Sequence, residues 1–214
     1  MKIFLMFCLM SSNVFSQKNI LWIGHSITKN NQDNVSFKSP TFSKIVTFGV
    51  GISIINERII KSSKTSSFLF GVEVSSVRQG FYLNNFSNYM TNTSLKIPLL
   101  YGFKFPVSKK VSTLLQIGVN LQLQLNSSTT TFIWNNSTML NIISHSGVFP
   151  LVHINLGFEK QFRKKQLNIM LGINKGFIDF EEITYTNTPG SIVTKSLFNG
   201  SYYELKLNWM LFSK

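Results

Sequence analysis

The chain has 214 residues, of which 14% are charged and 14% aromatic, and it carries a formal net charge of +13. Charge so sparse beside so many aromatics excludes a disordered chain, which is rich in charge and poor in aromatics. It also argues against a nucleic-acid reader, because the cations sit in short clusters between apolar stretches and are not gathered on one helix or face. An anionic membrane surface is the better partner for such clusters.

Residues 1–16, MKIFLMFCLMSSNVFS, have the build of a secretory signal peptide. Lys2 supplies the positive start, Ile3 to Met10 the apolar run, and Ser11 to Ser16 a small, polar stretch before the cleavage point. Cleavage after Ser16 leaves Gln17 first and removes Cys8, the single cysteine, so no disulfide or thiolate chemistry is expected in the mature chain. Cys8 stands inside the apolar run, without the small residues of a lipoprotein signal. No later stretch reaches the ~18 to 20 uninterrupted apolar residues of a membrane-spanning helix.

Residues 17–42 are expected to hold a first strand, Asn19–Ile27, and a first external loop. Alternation in that strand is poor; the even strand number of single-chain bacterial barrels supports it, and an extended arm or plug is the alternative. Over residues 43–214 seven strands follow, each betrayed by a period of two. Phe48, Val50, Ile52 and Ile54 oppose Thr47, Gly49, Gly51 and Ser53. Phe68, Phe70, Val72 and Val74 oppose Leu69, Gly71, Glu73 and Ser75. Leu95 to Phe105 places Lys96, Pro98, Leu100, Gly102 and Lys104 on the second face. The clearest case is Leu115–Asn126, LQIGVNLQLQLN, which alternates without error. Val152–Glu159, Leu167–Asn174 and Tyr203–Leu211 repeat the pattern.

The connections alternate in length, as in outer-membrane barrels. Phe105–Lys110 and Phe162–Gln166 are tight turns and Asn56–Thr65 a longer one, whereas Lys29–Ser43, Gly80–Asn92, Ser127–Gly147 and Asp179–Gly200 are long, rich in Asn, Ser and Thr, and expected outside. Both termini then fall on the periplasmic side. The fold predicted is all-β: an eight-stranded antiparallel up-and-down transmembrane β-barrel behind a cleaved signal peptide.

The polar strand faces carry Gly, Asn, Gln and Ser and lack the dense Lys and Glu of a water-facing surface. They therefore suit a narrow interior, which eight strands leave just wide enough for side chains, and the apolar faces meet lipid. Tyr101, Phe103, Phe105, Phe158, Phe162, Trp209 and Phe212 gather toward the turn-side strand ends like an interfacial girdle. Beyond them lie basic turns: Arg58, Lys61 and Lys64; Lys109 and Lys110; Arg163, Lys164 and Lys165. This rim fits anionic phospholipid, or equally a set of solvated turn lysines. Inward charges need partners, so Glu73, Glu159 and Glu204 are expected to join Lys96, Lys104 and Lys206 in a polar network that plugs the lumen. A local bulge is expected at Pro98, since a closed barrel offers no edge strand to host it.

The order of strands and turns, and above all Ser94–Phe105, SLKIPLLYGFKF, followed by a basic turn and the strand LLQIGVNLQL, resembles PorT-type outer-membrane β-barrel proteins of the Bacteroidota. The resemblance covers roughly residues 43–214. It implies barrel geometry and an outer-membrane location. The family includes a component associated with protein secretion and gliding, but no functional residue of it maps here. The C-terminal strand departs from the usual assembly signal, because the chain ends Phe212-Ser213-Lys214.

Three functional classes follow. A structural or docking component of the cell envelope is the leading one, with no cofactor and no nucleic-acid partner. A lipid-modifying barrel enzyme needs a His base beside a Ser nucleophile, and His25, His145 and His153 give no such constellation, so no catalytic residue is assigned. A soluble lipocalin-like barrel would turn the same faces the other way. Three scattered histidines lack the spacing of a metal site, and Gly49-Val-Gly51 is strand alternation. One loop, Ser127–Gly147, has no charged residue yet holds Phe132, Ile133, Trp134, Met139 and Leu140. These residues are candidates for docking another envelope protein or for folding over the barrel mouth.

Overall fold

The computed structural model describes residues 15–30, 42–60, 63, 65–83, 86–124, 128–134, 138–163, 165–179, 181–188, 191–198 and 201–213. Most of the expected signal peptide and of the first external loop, as well as Lys61, Lys64 and Lys164, fall outside them.

Eight strands close a barrel in the order β1 (Phe15–Asn30), β12 (Tyr202–Ser213), β9 (Lys165–Gly176), β8 (Gly147–Phe162), β5 (Val111–Gln124), β4 (Phe86–Pro106), β3 (Ser66–Leu83) and β2 (Phe42–Ile60). Every pairing is antiparallel. The first strand, expected at Asn19–Ile27, is therefore a full wall strand. It pairs with β2 on one side and, through Ile20↔Ser213 to Asn30↔Tyr202, with the last strand on the other. Closure leaves no unpaired barrel edge.

The alternation read from the sequence is the alternation of the wall. Outward positions such as Val50, Ile52, Val74, Ile154, Leu156, Leu171 and Leu205 are exposed, while Ser53, Glu73, Ser75, Asn155, Asn168 and Lys206 between them are buried. A barrel that turns its polar residues inward and its apolar residues outward is the reverse of a lipocalin. Along β4 the outward aromatics form a ladder, with ring centroids 4.9 Å apart for Tyr101 and Phe103 and 6.4 Å for Phe103 and Phe105.

Two expectations are corrected. Pro98 sits opposite Asn120 of β5 with no register shift, and pairing with β3 lapses between Phe70↔Leu99 and Glu73↔Lys96, then resumes in the same register. A missing N–H thus opens the ladder over two residue pairs, Gly71 with Pro98 and Val72 with Ile97, without a bulge. The position across from it in that register is Gly71, which presents no side chain to the proline ring; a Cβ there would lie 2.1 Å from the Ile54 carbonyl oxygen.

The second correction concerns the long external segments. Phe86 already pairs with Leu83, so most of Gly80–Asn92 is a hairpin prolonging β3 and β4. The other two segments form β6 (Ser128–Trp134), β7 (Thr138–Ser144), β10 (Glu181–Thr188) and β11 (Ser191–Phe198), joined in a four-stranded sheet ordered β11-β10-β7-β6. That order repeats the barrel order β12-β9-β8-β5 of the strands to which they are attached. Half of the wall therefore continues past the barrel mouth as an antiparallel sheet. The Thr, Ile, Val and aromatic residues of these segments suit strands, although their Asn and Ser content reads as loop.

Candidate functional site

The described interior is stacked in layers of side chains. Toward the short turns lies an apolar layer of Ile20, Trp22, Ile55, Leu69, Leu100 and Met210, with Ile59 packed against it. Trp22 is 1% exposed, and its indole Nε1 donates to Glu57 Oε2 at 2.8 Å. This layer, contributed by β1, β2, β3, β4 and β12, interrupts the expected inner face of mostly small and amide-bearing residues, although the alternation already sets Leu69 and Leu100 on that face. Nearer the turns, Lys104 donates to Glu159 at a site where the lysine side chain keeps about a third of its exposure.

Beyond the apolar layer lies the charged centre. Lys206 Nζ is 2.9 Å from Glu73 Oε2 and 3.0 Å from Glu204 Oε1. Lys96 Nζ reaches the other oxygen of Glu73 at 3.3 Å, and Ser26 Oγ donates to that oxygen at 3.2 Å. His153 Nε2 stands 3.3 Å from Glu204, and its Nδ1 lies 2.6 Å from Asn174 Oδ1 and 2.8 Å from Asn120 Nδ2. Asn120 Nδ2 also donates to Asn174 Oδ1 at 2.7 Å. The six residues of the expected network thus lie in two groups: Glu73, Lys96, Lys206 and Glu204 together, and Lys104 with Glu159 apart. Ser26, His153, Asn120 and Asn174 complete the central group, which draws on every barrel strand except β2.

Glycine makes this crossing possible. A Cβ on Gly24 would stand 2.0 Å from Asn208 Oδ1, and one on Gly51 would stand 2.5 Å from Ser26 Oγ and 3.1 Å from Glu73 Oε1. Ser26 of β1 thus reaches Glu73 of β3 past Gly51 of the intervening β2, where a side chain would collide with both.

Toward the extended sheet, the Lys96 ammonium lies 4.3 Å over the Tyr202 ring. Leu151 and Phe149 are buried above it. Glu181, at the base of β10, is fully buried and accepts from Asn92 Nδ2 at 3.1 Å and Ser144 Oγ at 3.5 Å, tying the extended sheet to β4. Together the apolar layer, the charged centre and this mouth leave the described lumen filled with side chains.

Of the candidate docking residues, Ile133 is exposed on β6. Phe132 pairs with Leu140, Ile133 with Met139 and Trp134 with Thr138 along the β6–β7 hairpin; the side chains of Phe132, Trp134, Met139 and Leu140 lie outside the described set. Among the described residues no group of three His, Cys, Asp or Glu could hold a metal ion.

A closed antiparallel barrel, apolar outside and polar within, has the surface of a membrane-spanning β-barrel. No family model and no curated protein matches the chain. Among solved structures, the β domain of the Bordetella autotransporter Brka aligns over 91% of this chain and 99% of that one, at 7% identity and a TM-score of 0.37. A likeness of that grade carries nothing about role, and the barrel rests on its own strand pairing.

Proposed function

We propose that this chain is a non-enzymatic outer-membrane β-barrel, a structural or docking component of the cell envelope whose lumen carries no solute. One observation carries the reading: a continuous outward belt of Leu, Ile, Val and Phe encloses an interior in which Lys96, Lys206, Glu73 and Glu204 neutralise one another at no more than 2% side-chain exposure. An apolar belt of this kind is stable only in lipid. A pore needs a wet lumen, and here the lumen is occupied. His153, fully buried within the central group, is out of reach of a lipid substrate and acts as a polar filler.

The signal peptide expected at residues 1–16 supports export, and the resemblance of Ser94–Phe105 to PorT-type barrels supports an outer-membrane address with both termini periplasmic. That resemblance also makes a docking role beside a secretion apparatus the favoured form of the proposal, with the β6, β7, β10 and β11 sheet as the part that projects to meet a partner. The test is twofold. The full chain should stay in the outer-membrane fraction through an alkaline wash, and the purified barrel should give no steady conductance in planar bilayers. Release by the wash would sink the membrane reading; ohmic channels of uniform size would sink the sealed lumen.

A further inference from the structure

At the turn end of the barrel, cations crowd one arc of the rim. Lys109 and Lys110 lie in the β4–β5 turn, Lys160 on β8, Arg163 in the β8–β9 turn and Lys165 at the start of β9, and all five are exposed. Backbone pairing makes them neighbours: Val111 stands opposite Lys160, Phe162 opposite Lys165, and the Gln161 amide donates to the Lys110 carbonyl at 2.8 Å. Lys165 Nζ reaches over to the Leu211 carbonyl at 3.1 Å, which carries the arc onto β12.

Among the described residues no side-chain carboxylate is paired with these charges. The described acids at this end, Glu57 and Glu159, are engaged by Trp22 and Lys104. The remaining described acids lie in the charged centre or toward the opposite mouth. Directly below the arc, on the outward face, stand exposed Phe105, Phe158, Phe162, Trp209 and Phe212. Five cations with no counter-charge among the described residues, bordered on one side by an aromatic belt, match an anionic headgroup above its acyl chains; a soluble acidic protein would leave the aromatics uncovered.

We infer that this arc is a binding surface for anionic phospholipid in the leaflet that meets the short turns, selecting it over zwitterionic lipid. The inference rests on the membrane-barrel reading above. Its test uses Trp209, which sits in the belt and pairs with Leu167 beside the arc. The full chain is reconstituted in vesicles containing brominated phosphatidylglycerol or brominated phosphatidylcholine, and quenching of Trp209 is isolated by difference against Trp209→Phe. The result expected is an enrichment of phosphatidylglycerol at Trp209 of about fivefold, falling to parity in the Lys109→Gln, Lys110→Gln, Arg163→Gln, Lys165→Gln variant and in high salt. Equal quenching by the two lipids in the native chain would overturn the selectivity while leaving the barrel in the membrane. A preference retained by the variant would overturn the assignment to these residues. Quenching by neither lipid would remove the membrane reading itself and the inference with it.

Discussion

Lys206 is the residue on which the interior turns. Its ammonium joins Glu73 to Glu204, and both carboxylates are buried. Lys96 still reaches Glu73, so Glu204 is the group left with least compensation when Lys206 is lost. Removing one partner of a buried ion pair costs about 3–5 kcal/mol. Lys206→Met should therefore lower the stability of the vesicle-folded barrel by that amount in urea titrations, whereas Lys104→Met, at the wetter Glu159 pair, should cost markedly less. Equal losses would contradict the layered interior. On the opposite face, Ile154 stands midway along β8 with its side chain outward. Ile154→Arg should cost about 2–4 kcal/mol in a bilayer, measured by the same titration; a neutral result would mean that this face meets water. The charges of the centre were legible as a set, because buried Lys and Glu must meet. Their division into two groups was not, since which residues share a level depends on strand stagger around the closed ring, and spacing along one strand does not report it.

Among the elements, β5 and β1 mark the limits of reading a strand from its pattern. Strand β5 alternates cleanly because its inward Gln116, Asn120 and Gln122 line the polar part of the lumen. Strand β1 alternates poorly because its inward Ile20 and Trp22 belong to the apolar layer, so that both of its faces are oily where a polar one was sought. The hairpins β6–β7 and β10–β11 were hidden for a different reason. Their Ser, Thr and Asn residues suit turns as well as strands, and their pairing is decided by the barrel strands that bring β7 beside β10. The β6–β7 hairpin is dispensable to the barrel on this account, because β5 and β8 pair without it from Val111↔Lys160 to Gln124↔Gly147. Replacing residues 128–144 by a two-residue Asn-Gly turn should leave the closed barrel intact in outer-membrane fractions, as judged by protease resistance of the remaining chain. Cleavage throughout the barrel strands would show that the extended sheet holds the wall closed.

At the scale of the whole molecule, charge is sorted by place. Among the described residues, acids are concentrated inside or toward the projecting sheet, cations crowd the turn rim, and the outward belt between them is mainly apolar. The architecture couples two requirements: a lipid-facing wall must close on itself to satisfy its backbone, and a narrow closed wall must fill its own core. The projecting half-wall rises from a scaffold whose centre is braced from nearly every side. Everything in this picture depends on closure in lipid. The most direct measurement is the electrophoretic mobility of residues 17–214, folded into lipid vesicles and run in SDS with and without boiling. A compact band that migrates faster unboiled, and slows on heating, is the result expected of a closed and braced barrel. A single band of unchanged mobility, from protein that also remains soluble without lipid, would contradict it.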